Sequence, residues 1–336
     1  GVYARSGRID VQGPRPFKSL GFALREKQSE FDARRYPSTL WPSASTPKAK
    51  LDRGQELEEY LRPVEDSASA NKALTILRRK GSLSHPEDVR VAIRCLGDSS
   101  LWREGLQLLK AKLRAPYKPS PRMYSAAVTI LDDKQWALAL ELLQAAKQAG
   151  ALDIQVLNSA MAVLNKAVPE LASALFRDAD KLEVQLNTCS FNIAIQSQRL
   201  VGNWREAVWL LKAMWREMTM PNTISYKTAI WACSDCGSWT MALELLREVW
   251  LEGLVTSMYT FTGAILACAR AGEWQRSLIL LADARTQLLS PDVPSHAAAI
   301  HACSEAAQWQ QTLALLKDMS GHKTWPDRVS FNSAIL

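Results

Sequence analysis

The chain has 336 residues, 47% of them apolar and 22% charged, with 41 Lys and Arg against 34 Asp and Glu for a formal net charge of +7. This composition is ordinary for a helical globular protein and excludes a disordered or collagen-like chain. No run approaches 18 uninterrupted apolar residues, so no membrane-spanning helix is expected, and the basic surplus suits a polyanionic partner.

Residues 1–50 carry Arg5, Arg8, Arg15, Lys18, Arg25, Lys27, Arg34, Arg35, Lys48 and Lys50 against Asp10, Glu26, Glu30 and Asp32. The stretch from Tyr36 to Pro47 is rich in Ser, Thr and Pro, which cannot bury enough apolar surface to offset the entropy of ordering. Three readings stay open for this segment: the remains of an organelle transit sequence, a basic arm that touches nucleic acid, and a solvated linker.

From residue 51 onward the chain repeats itself. Trp239 stands six residues before Leu245-Leu246, and the same Trp-x5-Leu-Leu pattern recurs at Trp102, Trp136, Trp204, Trp274 and Trp309. Two copies lack the Trp: Pro169 precedes Leu175-Phe176, and Ala70 precedes Ile76-Leu77. The gaps between anchors run from 32 to 35 residues, and the last four are all 35. A period of this size is the signature of an α-solenoid.

Each anchor opens a helix. Three residues on comes a small residue (Ala73, Gly105, Ala139, Ala172, Ala207, Ala242, Ser277, Thr312), and anchor, small residue and Leu pair share one helical face. Asn203 and Ser238 sit where an N-cap is wanted. Gly202, Gly237 and Gly272 sit where the preceding helix needs a left-handed end. Links such as Ser290-Pro291-Asp292 and Trp325-Pro326-Asp327 divide one unit from the next, because Pro cannot continue a helix. Residues 51–85 then read as a degenerate capping unit with charge from Glu56, Glu58 and Glu59. The full units are 86–120, 121–153, 154–187, 188–222, 223–257, 258–292 and 293–327, and 328–336 begins another. The chain stops inside that first helix, so it reads as lacking its natural ends.

The segments Ser225-Tyr226-Lys227-Thr228-Ala229-Ile230, Thr260-Phe261-Thr262-Gly263-Ala264-Ile265 and Ser330-Phe331-Asn332-Ser333-Ala334-Ile335, with the 35-residue period and the Pro-Asp or Pro-Asn endings, resemble the pentatricopeptide repeat family. The resemblance covers residues 86–336 well and 51–85 poorly. It implies an all-α, right-handed superhelical solenoid whose concave groove is lined by first helices. It also implies binding of single-stranded RNA in a chloroplast or mitochondrion, acting in RNA processing, stability or translation. No cofactor is implied, nor any membrane partner; the chain would be a soluble monomer, with other organellar RNA-processing or ribosomal proteins as further partners.

In that family the fifth and last residues of a repeat select the base. Here the fifth residues are Arg90, Ser125, Asn158, Asn192, Lys227, Thr262, Ala297 and Asn332, and the last are Ser120, Asp153, Asn187, Asn222, Ser257, Asp292 and Asp327. Short polar side chains suit a base edge, although at the last position they also suit a helix cap. By resemblance, Asn158/Asn187 and Asn192/Asn222 prefer cytosine. Thr262/Asp292 prefers guanine, as Ser125/Asp153 does more weakly, and Lys227/Ser257 supplies charge. With the RNA 5′ end toward the N-terminal repeats, the expected core is G-C-C-N-G. Arg90, Lys227 and Ala297 fit no usual code, and Glu87, Arg122, Gln155 and Pro294 stand at second positions where the family carries apolar residues.

Catalytic signatures are missing from the sequence. There is no H-E-x-x-H, Walker loop, dinucleotide fingerprint or nucleophile elbow. His296 and His301 read as residues of a polar helix face. Cys233, Cys268 and Cys303 are 35 apart and read as packing residues of three first helices, free of metal. Two rival readings remain, a protein-binding scaffold such as an organellar ribosome component, and the RNA-binding part of an enzyme whose catalytic domain lies beyond Leu336.

Overall fold

The computed structural model describes residues 61, 67–79, 83, 85–113, 120–321 and 325–335. They belong to a unit spanning Lys48–Leu336, separate from Gly1–Pro47. The expectations for residues 1–50, and for an acidic helix around Glu56, Glu58 and Glu59, lie outside the described residues.

The described residues form helices and no strand, in the order α1 (Ser67–Arg79), α2 (Pro86–Asp98), α3 (Trp102–Leu113), α4 (Pro121–Thr129), α5 (Trp136–Gln148), α6 (Ile154–Ala167), α7 (Pro169–Arg177), α8 (Thr188–Val201), α9 (Trp204–Arg216), α10 (Thr223–Asp235), α11 (Trp239–Leu251), α12 (Met258–Arg270), α13 (Trp274–Thr286), α14 (Val293–Glu305), α15 (Trp309–Gly321) and α16 (Arg328–Ile335). Even-numbered helices are the first helices of the repeats and odd-numbered ones the second. From α2 on, consecutive first helices pack on one another, and each second helix packs on the first helix of its own repeat and on that of the next. The result is the expected α-solenoid.

The sequence period explains the packing. Tyr226, Ala229, Ile230 and Cys233 of α10 are buried, as are Phe261, Ala264, Ile265 and Cys268 of α12. Both sets follow the i, i+3, i+4, i+7 spacing of one helical face. The small residue after each anchor allows close approach: Ala139, Ala172, Ala207, Ala242 and Ser277 are fully buried. A Cβ on Gly105 would stand 2.6 Å from Ile130 Cδ1. Pro169 opens α7 in the first turn, where its missing N–H has no partner to lose.

The turn before five of the anchors has one form, whereas Trp136 follows a 3-10 turn and Pro169 follows Val168, whose φ is negative. Gly202, Gly237 and Gly272 adopt φ of 80°, 66° and 76°, and at the same offset Ser100 and Ala307 adopt 60° and 55°. The fold imposes a left-handed residue there whether or not the side chain favours it. Asn203 caps α9 through Glu206 N, whereas Ser238 makes no capping bond.

Three details depart from the sequence reading. Five Trp anchors are partly buried against the core, but Trp309 is 66% exposed. Trp239 shows why: Arg276, from the next second helix, lies 4.3 Å over its ring. Among the described residues no second helix follows α16 and none lies over Trp309 in that way. His296 is 1% exposed and not a polar-face residue. It sits between Asp292 O at 3.0 Å and Asp318 Oδ2 at 3.3 Å, with the Arg285 guanidinium alongside. Thirdly, α7 has 9 residues where α9, α11 and α13 have 13, a shortening the repeat register did not reveal.

Cys233, Cys268 and Cys303 are buried free thiols. Burial pushes them up to about 12, about 11 and about 11 respectively. Among the described residues no helix is long and apolar enough to cross a membrane.

Candidate nucleic-acid interface

The site is built from the N-terminal ends of the first helices. The last residue of a repeat is the residue that caps the next first helix. Asp153 accepts from Val156 N at 2.9 Å, Asn187 from Ser190 N at 3.0 Å, and Asn222 from Ile224 N at 3.0 Å and Ser225 N at 3.1 Å. Asp292 accepts from Ser295 N at 3.0 Å and Asp327 from Ser330 N at 2.8 Å. Ser257 occupies the same place without a side-chain capping bond; its hydroxyl lies 3.2 Å from that of Thr260. Each cap satisfies amide donors that a helix start leaves free.

Two repeats join the fifth residue to this cap. Asn158 Nδ2 donates to Asn187 Oδ1 at 3.2 Å, and Asn192 Nδ2 donates to Asn222 Oδ1 at 3.4 Å. A buried serine locks each pair from beneath. Ser190 Oγ donates to Asn158 Oδ1 at 2.7 Å, and Ser225 Oγ donates to Asn192 Oδ1 at 2.6 Å. Ser190 and Ser225 are each 0% exposed. The same hydroxyls accept from the Asn187 and Asn222 backbone N–H groups, closing a capping box.

This network fixes which atoms face outward. Because Oδ1 of Asn187 and of Asn222 must accept from the helix, each Nδ2 points the other way, and it donates to nothing among the described residues. Each pair therefore keeps amide N–H donors unspent, while its oxygens are engaged. Asn187 and Asn222 are exposed, and Asn158 and Asn192 are half-buried.

The other fifth positions are arranged differently. Ser125 Oγ lies 2.9 Å from Ser159 Oγ and makes no bond to Asp153. Thr262 is 2% exposed, and its hydroxyl donates to Met258 O at 2.9 Å, so within the Thr262/Asp292 pair only Asp292 offers polar atoms to the surface. Lys227 Nζ stands 5.2 Å over the Tyr259 ring. Asn332 is exposed on α16. At the N-terminal end, Glu87 takes the fifth residue Arg90 at 2.8 Å and Arg122 of the next repeat at 3.2 Å. Burial raises the Glu87 carboxyl, but the hydrogen bonds and charges of the two arginines outweigh it and hold it below the ordinary value. Arg90, Arg94, Arg122 and Ser125 border a cavity of about 640 Å³ here.

Several residues of this surface were missed by sequence reasoning. Ser190 and Ser225 could have been found, since Asn-x-x-Ser is a capping-box spacing that recurs 35 residues later. Trp231 gave no comparable signal. It packs tilted against Tyr259 with ring centroids 4.7 Å apart, donates from Nε1 to Tyr259 O at 3.2 Å, and has the Arg199 guanidinium 5.0 Å from its ring centroid. Arg199 also reaches Asp235 at 2.7 Å, and Arg270 reaches the same carboxylate at 3.1 Å, so the groups tie α8, α10 and α12 together.

Comparison with known proteins agrees with this architecture. The PPR repeat family model matches residues 224–254. No curated protein matches the sequence. The crystal structure of the pentatricopeptide repeat protein PPR10 from maize is similar at a TM-score of 0.55 and 16% identity, over 96% of this chain and 49% of that one. The structure of PPR10 in complex with an 18-nt psaJ RNA element is similar at 0.52 and 11%, over 94% of this chain and 55% of that one. The chain thus spans about half the length of these solved structures. Residues 224–254 thus match a PPR repeat, and the described repeats share the helical-repeat fold of these pentatricopeptide repeat structures.

Proposed function

We propose that the chain binds single-stranded RNA along its row of first-helix N-termini and selects bases at Asn158/Asn187 and Asn192/Asn222. The observation that carries this reading is the serine-locked asparagine pair, built identically in two successive repeats with its amide donors left unspent. Fixed N–H donors at successive repeats favour bases that present acceptors, and cytosine offers O2 and N3. Where the cap is an aspartate, as at Asp153, Asp292 and Asp327, the last residue offers acceptors only, which favours a base edge with N–H donors such as that of guanine. The fold is shared with a protein whose structure is described as a complex with RNA, which supports the same reading. The buried Thr262 and the serine-bonded Ser125 make their repeats weaker readers, while Lys227 and the arginines near Glu87 contribute charge. The family resemblance supports an organellar setting and a role in RNA processing, stability or translation.

The test is fluorescence anisotropy of the purified chain with a short labelled RNA carrying G-C-C-N-G and one carrying G-A-A-N-G. The matched RNA should bind more tightly by about 1–3 kcal/mol per mismatch. Affinity should also fall steeply with salt as backbone contacts release counterions. Equal affinities would remove base selection and leave a basic groove; no binding to either RNA would favour a protein-binding scaffold. Sequencing of RNA crosslinked to the protein in its own organism tests the organellar setting.

A further inference from the structure

The shortened α7 opens the second-helix row. After Arg177 the chain passes through a 3-10 turn at Asp180–Leu182, turns at Glu183 with φ of 56°, and reaches Asn187 without further helix. A cavity of about 890 Å³ lies between α7, this link, α8 and α9. Its floor includes Phe176 and Phe191, which meet edge to face at 5.0 Å. Trp209, 53% exposed, forms a wall.

The polar groups of the cavity share one character. Glu183, Glu206 and Glu217 line it, and none is ion-paired among the described residues. At its base lies Gln198, 9% exposed, whose Nε2 donates to Ser173 Oγ at 3.0 Å while its Oε1 accepts no hydrogen bond among the described residues. Arg177 is the cation of the lining, and its Nε is turned to Ser173 O at 3.3 Å. The site therefore offers the amide oxygen of a largely buried glutamine, three carboxylates and an indole, in a chain whose net charge is +7. A phosphate backbone is repelled by such a set. A guanidinium is suited to it: five donors for the carboxylates and the amide oxygen, a flat face for Trp209, and an apolar stem for the phenylalanine floor.

We propose that this cavity is a docking site for an arginine-bearing, extended segment of a partner protein, separate from the proposed RNA-binding surface at the first-helix N-termini. The partner's arginine stacks on Trp209 beside Glu206 and reaches Gln198, while Glu217, about three turns along α9, adds negative charge to the site. The arrangement belongs to this one junction, because α7 alone among the described second helices has fewer than 12 residues.

The test uses the whole chain and a short fluorescein-labelled peptide in which arginine alternates with leucine and glycine, read by anisotropy. A counterpart with glutamate for arginine serves as control. A basic protein does not attract a cationic peptide by net charge, so saturable binding of the arginine peptide, and none of the glutamate one, is expected. The double variant Glu206→Gln/Glu217→Gln and the single variant Trp209→Ala should each weaken binding by about tenfold or more, roughly 1.4 kcal/mol. Circular dichroism melting should show both still folded, and both should bind G-C-C-N-G RNA as the wild type does. Peptide binding that is absent, or unchanged in both variants, or displaced by the RNA, overturns the proposal. Loss of RNA binding in the variants, with peptide binding unchanged, would assign the cavity to RNA instead. Because the peptide arm needs no RNA, failure of base selection leaves this test intact.

Discussion

The asparagine locks can be tested with one atom exchange. Asn222→Asp replaces the outward Nδ2 with an oxygen and leaves the rest of the side chain in place. The bonds from Ile224 N and Ser225 N, at 3.0 and 3.1 Å, are accepted equally well by a carboxylate, and Asn and Asp are comparable N-caps. A negative charge at the start of α10 adds about 0.3–1 kcal/mol through the helix dipole. Stability should therefore stay level or rise slightly in a urea titration. RNA recognition should change in sign at one position. The two unspent N–H donors become acceptors, so the base opposite the repeat 188–222 should shift from cytosine toward a base that offers an N–H donor. Discrimination from one good paired contact is about 1–3 kcal/mol, or roughly 5- to 150-fold. The added charge repels every RNA alike, so the ratio of affinities is the quantity to measure, by competition anisotropy with four RNAs differing at that base. A variant that folds as stably as the wild type and still prefers cytosine would refute the claim that Nδ2 of Asn222 faces the base.

Other outcomes follow from packing, turns and buried thiols. Trp239→Ala should cost about 3–5 kcal/mol in urea denaturation, whereas Trp309→Ala should cost under about 1 kcal/mol because Trp309 already meets solvent; equal costs would contradict the placement of these rings. Ala307→Gly should stabilise the chain by up to about 1 kcal/mol by relieving the left-handed conformation, and Gly272→Ala should destabilise it by about 1–2 kcal/mol, as read by melting temperature. Cys233, Cys268 and Cys303 should resist iodoacetamide in the native state while exposed Cys189 and Cys236 react, which mass spectrometry can map; native-state labelling of Cys233 would contradict its burial. Their thiols are raised from 9.0 to about 11 or 12, so above pH 9 the unfolded chain loses protons that the native chain keeps. Stability from this source is full below pH 9 and declines as pH rises toward 12. Serine replacements at all three should flatten that decline.

Much of the architecture is legible in the sequence because a solenoid repeats its packing problem. The Trp anchors, the small residues behind them and the left-handed turns each recur at one offset, so a single helical face explained them all. The cap residues were legible for the same reason. What escaped notice depends on contacts between repeats. Ser225 has a visible capping partner in Asn222, but its shorter bond, to Asn192, spans 33 residues and exists only once α8 and α10 are in register. Thr262 fits the pattern of a surface reader, yet the packing of α12 against its neighbours buries it. His296 reads as polar and is enclosed by Arg285 and Asp318 from flanking second helices. The early end of α7 has no punctuation beyond Pro169, which marks where a helix starts rather than where it stops.

The coincidence of cap and last residue sets an alphabet. A residue at 187 or 222 has to hold the N-terminus of the next first helix before it can meet a nucleotide. Only Asn, Asp, Ser, Thr and, more weakly, Gly do this well, and replacing them with Ala costs about 0.5–2 kcal/mol. Arg, Lys, Gln and Glu, which serve readily in other base-reading proteins, are poor caps and are disfavoured here by folding rather than by chemistry toward RNA. Under the proposed base reading, the number of specificities open to each repeat is bounded by the few side chains that can begin a helix. Under that reading, new specificities are to be sought chiefly at the fifth position, which carries no capping duty.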